Sequence, residues 1–258
     1  MGILNLTPDS FSDGGLLLDP NVAVEAAHRM IDEGADLLDL GAESTRPGAA
    51  MVPVEEELRR LEPVLKALRE CGVPLSVDTR KPEVMRAVID LGADMINDVE
   101  GFASDDAIDA VRGSSVACCV MHMQGEPQSM QQAPVYEHVV RDVKNILAQR
   151  VQRLHSAGVD MRRIVIDPGI GFGKTLDHNL SLLAHLDDLS DQGLPVLIGV
   201  SRKSMIGALT GRSVDARLSG SLSAMLAAVN AGARLVRVHD VAATRDALTV
   251  WNAIQRAV

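Results

Sequence analysis

Short runs of branched aliphatic residues recur along the chain, each followed by a stretch in which apolar residues return every three or four positions. The first pattern reads as buried strands and the second as amphipathic helices. Strands are predicted at Ile3 to Asn5, Leu37 to Leu40, Leu75 to Asp78, Met95 to Asn97, Val116 to Met121, Ile164 to Asp167, Val196 to Val200 and Leu235 to His239. Helices are predicted at Asn21 to Glu33, Val54 to Cys71, Lys81 to Leu91, Asp105 to Arg112, Tyr136 to Ala157, Asp177 to Asp188, Arg217 to Ala231 and Val241 to Ala257. The alternation is unbroken by any linker-like composition, so the expected fold is α/β, a single (β/α)8 TIM barrel spanning residues 1–258. Three helices close on one phrase, Gly34-Ala35-Asp36, Gly92-Ala93-Asp94 and Gly232-Ala233-Arg234, which reads as a glycine cap followed by entry into the next strand.

Composition supports a core built almost without rings: 47% of residues are hydrophobic and only 2% aromatic, so Val, Leu, Ile, Met and Ala must fill it, as suits parallel strands covered on both faces. A net charge of −10 with no basic stripe argues against nucleic-acid or anionic-membrane partners, and any anionic ligand must meet a local cluster. Cys71, Cys118 and Cys119 have no zinc-type spacing and suit reduced thiols, hence a cytoplasmic protein. No apolar run reaches the ~18 residues of a membrane span, and no leader-like segment precedes Asn5.

In such a barrel, chemistry gathers where the strands end and the βα loops converge. The first strand closes at Asn5 and runs into a loop holding Thr7, Asp9, Ser10, Phe11, Ser12 and Asp13, and the second runs into Glu43-Ser44-Thr45-Arg46-Pro47-Gly48. Asp78, Asn97 and Asp167 would point inward from three strands and offer the acceptors that a flat, amide-rich heterocycle requires. Lys203 could meet a ring carbonyl or form an internal ion pair with one of those carboxylates. Arg46, Arg237 and His239, with Asn5, form a second set suited to a diphosphate and a Mg²⁺ held mostly by phosphate and water. His122, inside a Met-His-Met run, reads equally well as a packed histidine and is left out of the site. Gly169 to Thr175 resembles a phosphate-binding P-loop, but Pro168 stands where its first glycine belongs, so the segment is read as a Gly-rich βα loop carrying Phe172 over the barrel mouth.

These segments together resemble the dihydropteroate synthases. The resemblance is carried by Gly2 to Gly15, Gly41 to Gly48, Ser76 to Thr79, Ile96 to Val99, Met121 to Gly125, Asp167 to Lys174, Ser201 to Ser204 and Arg237 to Asp240, in the family's order over almost the whole chain. It implies condensation of 7,8-dihydropterin-6-ylmethyl diphosphate with 4-aminobenzoate, with Mg²⁺ as cofactor and a homodimer as the assembly. By the same resemblance Asp78, Asn97, Asp167 and Lys203 hold the pterin with Met121 against its ring, and Asn5, Arg46, Arg237 and His239 serve the Mg²⁺ and diphosphate. Phe11, Thr45, Pro47, Phe172 and Ser204 form the aminobenzoate pocket, and Asp13 lies near the developing cation. A pterin-dependent methyltransferase would share the ring pocket without needing the diphosphate set, and a catalytically silent pterin-binding paralogue would keep both. Two departures stand out: the chain starts almost at its first strand, where the family usually carries an N-terminal extension, and Glu100-Gly101-Phe102 is unusual, with Phe102 expected to crowd the rim.

Overall fold

The computed structural model describes residues 1–7, 19–44, 51–125, 129–190 and 193–257. In chain order the elements are β1 (Gly2–Asn5), α1 (Pro20–Asp32), β2 (Leu38–Gly41), α2 (Val54–Leu68), β3 (Leu75–Asp78), α3 (Pro82–Asp90), β4 (Met95–Asp98), α4 (Asp105–Val111) and β5 (Ala117–Met121). They continue with α5 (Val139–Ser156), β6 (Ile164–Asp167), α6 (Leu176–Ala184), α7 (Asp187–Ser190), β7 (Leu197–Ile198), α8 (Ser204–Thr210), α9 (Leu218–Asn230), β8 (Leu235–Val236) and α10 (Val241–Gln255).

Strands β1 to β6 form one parallel sheet in chain order, and β7 and β8 pair with each other. Parallel bridges Ile166↔Val196 and Gly2↔Val238 join the two sheets at both seams. Backbone bonds from Ile3 N–H to the Val238 carbonyl (3.0 Å) and from Ile166 N–H to the Pro195 carbonyl (3.0 Å) complete the barrel.

Alternation along each strand sorts side chains between two cores. Leu4, Leu38, Leu40, Val77, Ile96, Val120 and Ile166 pack outward in the main hydrophobic cluster with the helices. Met95, Cys119, Val165 and Leu197 form a separate, inner cluster. The register Ile3↔Asp39↔Ser76↔Met95 sets one inward row, and Asn5↔Gly41↔Asp78↔Asn97 sets the row above it.

The recurrent helix endings are glycine caps. Gly34, Gly92 and Gly232 all have φ near +100° (96°, 97° and 102°), and the following Ala35, Ala93 and Ala233 each donate to a carbonyl five residues back. That is the Schellman arrangement, which returns the chain towards the next strand.

Three details differ from the sequence reading. The seventh and eighth strands pair with each other at only two residues each, and Gly199, Ser201, Arg237 and His239, just beyond those pairs, line the barrel mouth. The expected helix over residues 177–188 breaks at His185, whose backbone leaves the helical region (φ −122°, ψ 36°). An unpredicted helix, α8, follows β7 and buries Met205 and Ile206 before ending at left-handed Gly211. Gly207 lies within this helix with the Arg217 guanidinium packed over it, so that a Cβ there would stand 2.2 Å from an Arg217 nitrogen and displace that side chain.

Phe102 is not on the rim. The Asp98 carboxylate accepts from Glu100 N–H (2.8 Å) and Phe102 N–H (2.7 Å), bending the chain through Gly101 (φ 61°) and Phe102 (φ 56°). This turn drives the ring into the main core, where it is fully buried. Phe102→Ala should therefore lower the unfolding free energy by about 3 to 5 kcal/mol in urea denaturation, the cost of a large core cavity; a change below 1 kcal/mol would return the ring to the surface.

Candidate active site

At the carboxyl ends of the strands lies a cavity of about 750 Å³. Asn5, Asp78, Asn97, Met121, Asp167, Phe172, Lys203, Ser204, Arg237 and His239 all line it. Strands and loops from seven of the eight βα units thus bring ten sequence-predicted residues to one place. Phe11, Asp13, Thr45, Arg46 and Pro47 lie outside the described residues.

The floor is ionic. Arg237, just beyond β8, donates from Nε to Asp39 (2.5 Å) and from Nη2 to Asp78 (3.0 Å). Asp39 is fully buried and also accepts from the Ser76 hydroxyl (2.6 Å) and the Asn97 amide (3.4 Å). Burial works against the charge on Arg237, but Asp39 and Asp78 more than offset it and hold the guanidinium above its ordinary pKa. One guanidinium cannot fully compensate two carboxylates, and burial, opposed by Arg237, pushes Asp78 up to about 7. The bond to Asp39 also fixes the Asn97 amide, leaving its Oδ1 buried without a protein partner. A buried orphan acceptor suits a ligand N–H.

Asp167 offers a second acceptor. One of its oxygens takes the Gly169 N–H (2.7 Å). Burial raises its pKa, tempered by that bond and by the Lys203 charge. Lys203 lies over the Phe172 ring, 4.0 Å from the centroid, a cation–π contact that couples the loops after β6 and β7.

His239 is held by Ser201, whose hydroxyl lies 3.2 Å from the His239 amide nitrogen and 3.0 Å from Nδ1. Burial, reinforced by the positive charges of Arg237 and Arg202, lowers the imidazole pKa to about 3. The ring is therefore neutral near pH 7 and can donate a hydrogen bond without bringing a charge. Arg202 adopts φ 58°, held by a two-point pair with Asp240 (2.5 and 3.0 Å) and by Ser221 Oγ accepting its N–H (2.9 Å). The left-handed residue immediately precedes Lys203 and Ser204, so the strain lies where the chain must turn them into the cavity.

On the opposite rim, Glu43 accepts from Val52 N–H (3.1 Å), bonds Lys81 and pairs with Arg80 (3.0 Å). Lys81 also reaches the buried Glu57, and Arg80 reaches Glu100 (2.8 Å). These bonds offset the cost of burial and hold Glu43 below its ordinary pKa. Sequence reasoning assigned no role to Asp39, Glu43 or Arg202. Asp39 was detectable as a carboxylate at an inward position between Leu38 and Leu40, whereas the partners of Glu43 and Arg202 are visible only in three dimensions.

The inward acceptors, the orphan amide oxygen and the neighbouring cations define a barrel that receives a polar heterocycle. Residues 1–239 match the family described as "Pterin binding enzyme". The chain is 50% identical to the dihydropteroate synthase of Neisseria meningitidis serogroup C, over 98% of this chain and 92% of that protein. Among solved structures it is similar to Xanthomonas albilineans dihydropteroate synthase with 4-aminobenzoic acid, with a TM-score of 0.92 and 54% identity over 99% of this chain and 92% of that one. It is likewise similar to Burkholderia cenocepacia dihydropteroate synthase complexed with 7,8-dihydropteroate, with a TM-score of 0.91 and 53% identity over 100% and 91% of the two chains. The chain belongs to the dihydropteroate synthase family of pterin-binding enzymes.

Arg237→Ala would strand Asp39 and Asp78 in the barrel. The variant should lose about 3 to 5 kcal/mol of unfolding free energy, the usual cost of breaking a buried pair from one side. Urea denaturation checks this, and a loss confined to ligand affinity would deny the guanidinium its structural role.

Proposed function

We propose that the protein joins 7,8-dihydropterin-6-ylmethyl diphosphate to 4-aminobenzoate, giving 7,8-dihydropteroate and diphosphate in folate synthesis. The observation that carries this reading is the union, in one cavity of a chain from this family, of the acceptors Asp78, Asn97 and Asp167 with Lys203, Arg237 and His239. In the reaction the bond from the methylene carbon to diphosphate oxygen breaks, the aryl nitrogen bonds to that carbon, and the amine releases a proton. The electron-rich dihydropterin spreads positive charge at the methylene, so bond breaking can lead. The site's task is to stabilise separated charge in a closed space.

The floor carboxylates and Asn97 would receive the pterin N–H groups, with Met121 against the ring and Lys203 at its edge. His239 would donate a neutral hydrogen bond to the leaving group, joined by Arg46. We assign Phe11, Thr45 and Pro47 with Phe172 and Ser204 to the aminobenzoate, and Asp13 to the neighbourhood of the cationic carbon. For Mg²⁺ the donor set fits a shared site: Asn5 contributes an amide oxygen at the end of β1, and no group of three or more His, Cys, Asp or Glu among the described residues could hold the ion alone. When bound, Mg²⁺ would neutralise diphosphate charge, taking its remaining ligands from phosphate and water.

We further infer a cytoplasmic homodimer. The free thiols of Cys71, Cys118 and Cys119 suit a reducing compartment, and no helix among the described residues is long and apolar enough to cross a membrane. A groove between α9 and α10 exposes Val250 and Ile254 beside Leu222, Leu226 and Trp251, an apolar face that a second copy would cover.

Turnover of both substrates with Mg²⁺ tests the proposal directly, since pterin binding without dihydropteroate formation would identify a silent paralogue. Asp167→Asn is expected to weaken binding of a bare pterin by about 2 to 4 kcal/mol, because the amide oxygen must serve Gly169 and its NH₂ then faces ligand donors. Calorimetry that finds equal affinity in parent and variant removes Asp167 from the ring pocket. 4-Aminobenzoate and sulfonamides should bind poorly to the free enzyme and more tightly once diphosphate and Mg²⁺ are present, a coupling of about 1 to 3 kcal/mol. Indistinguishable affinities in the two states would mean a preformed pocket.

A further inference from the structure

The Gly-rich segment that imitates a P-loop ends in Lys174, which faces the inside of its own loop. Its side chain is nearly inaccessible, 3% exposed. Nζ lies 2.9 Å from the Gly169 carbonyl, 2.9 Å from the Phe172 carbonyl, 3.2 Å from the His122 carbonyl and 3.0 Å from His122 Nδ1. In a P-loop, backbone amides surround an anion; here carbonyls converge on an ammonium, so the segment is no anion cradle.

We propose that Lys174 is a positioning residue of this enzyme: its ammonium ties the loop carrying Phe172 to the end of β5 and thereby sets the place of Phe172 and Lys203 in the cavity. Three observations besides the four contacts support the assignment. The loop lies directly on the β5 extension: a Cβ at Gly169 would stand 2.0 Å from the His122 carbonyl oxygen, and one at Gly173 would stand 2.4 Å from that of Gln124. Its upper side meets the site, because a Cβ at Gly171 would stand 3.3 Å from the Lys203 stem, and Phe172 lies beneath the Lys203 ammonium. The same loop consumes one oxygen of Asp167 through Gly169 N–H, so its position also decides which Asp167 oxygen remains for a ligand. His122 completes the socket as an acceptor at Nδ1, which leaves its proton on Nε2, a buried atom without a protein partner. Burial and the neighbouring Lys174 keep that ring neutral, with its pKa lowered to about 3.

The proposal rests on the dihydropteroate reading of the cavity, and its test separates the two. Parent, Lys174→Met and His122→Leu enzymes are compared by steady-state kinetics with 4-aminobenzoate as the varied substrate, and by hydrogen exchange at residues 169–173. For Lys174→Met, kcat/KM should fall by about a hundredfold, the scale of a displacement of ~1 Å in a positioned site. The loop amides should exchange faster while those of β1 to β4 do not. A variant with a lowered Tm but parental kcat/KM and parental loop exchange would overturn the proposal and leave Lys174 a purely structural group. If Lys174→Met does not fold, His122→Leu, which removes one acceptor of four, carries the same test with an expected loss of about tenfold. A parent that turns over neither substrate would sink the functional reading instead, and the loop exchange of the variants would still decide whether Lys174 holds the loop.

Discussion

Much of this barrel depends on one guanidinium placed inside it. Arg237 comes from the shortest part of the ring, where β7 and β8 have only two ladder residues each and join the larger sheet through one bridge at each seam. Its bonds to Asp39 and Asp78 extend from that weak sector to β2 and β3 across the barrel interior. A buried pair of this kind costs about as much in desolvation as it returns, unless further hydrogen bonds satisfy its carboxylates. Ser76 and Asn97 supply them for Asp39. The arrangement also orients groups for a ligand, since Asn97 turns its carbonyl oxygen away from Asp39 and Asp78 is left undercompensated. Stability and recognition use the same atoms.

The eight strands and most helices were legible in the sequence because apolar runs alternate with helical periodicity, and the inward polar residues at the strand ends followed from the barrel rule. The Arg237 pairing was not. In the sequence Arg237 reads with Arg46, His239 and Asn5 as part of a set suited to a diphosphate, because a guanidinium offers phosphate oxygens a planar fork. The carboxylate that claims it, Asp39, sits inside a strand read simply as apolar. Strand parity was the available signal: Asp39 lies two residues before Gly41, as Ser76 lies two before Asp78, so both fall on the inward face. Phe102 shows the converse. Its neighbours suggested a rim position, but two left-handed residues pinned by Asp98 turn it into the core, and such a turn leaves little trace in hydrophobic pattern.

The two sides of the cavity are braced by different physics. Beside β2 and β3, charges brace one another: Glu43, Arg80, Lys81, Glu57 and Glu100 form a partly buried network whose bonds join a βα loop to helix α2 and to the ends of β3 and β4. Beside β5 and β6 a single ammonium is surrounded by neutral acceptors, where burial lowers the Lys174 pKa to about 7 despite the opposing pull of Asp167. The second arrangement gathers three carbonyl oxygens and His122 Nδ1 around one buried nitrogen. Glycines at 169 and 173 are required there because backbone approaches backbone too closely for any side chain.

The electrostatic balance bears on how a diphosphate could be held. Arg237 is committed to two carboxylates and Arg202 to Asp240. His239 is neutral at working pH, so it adds direction but no charge. A leaving group carrying several negative charges therefore draws little net compensation from these three residues. Lys203 stands over Phe172 within reach of Asp167's field and serves the ring side of the cavity as much as the phosphate side. In the proposed reaction Mg²⁺ and Arg46 would supply further positive charge for the leaving group. Under the proposed reaction such a site would bind the leaving group best with both Mg²⁺ and Arg46 engaged. On that proposal charge neutralisation would be tied to binding of the aryl amine, and ionisation of the pterin diphosphate would wait for an acceptor of the cation.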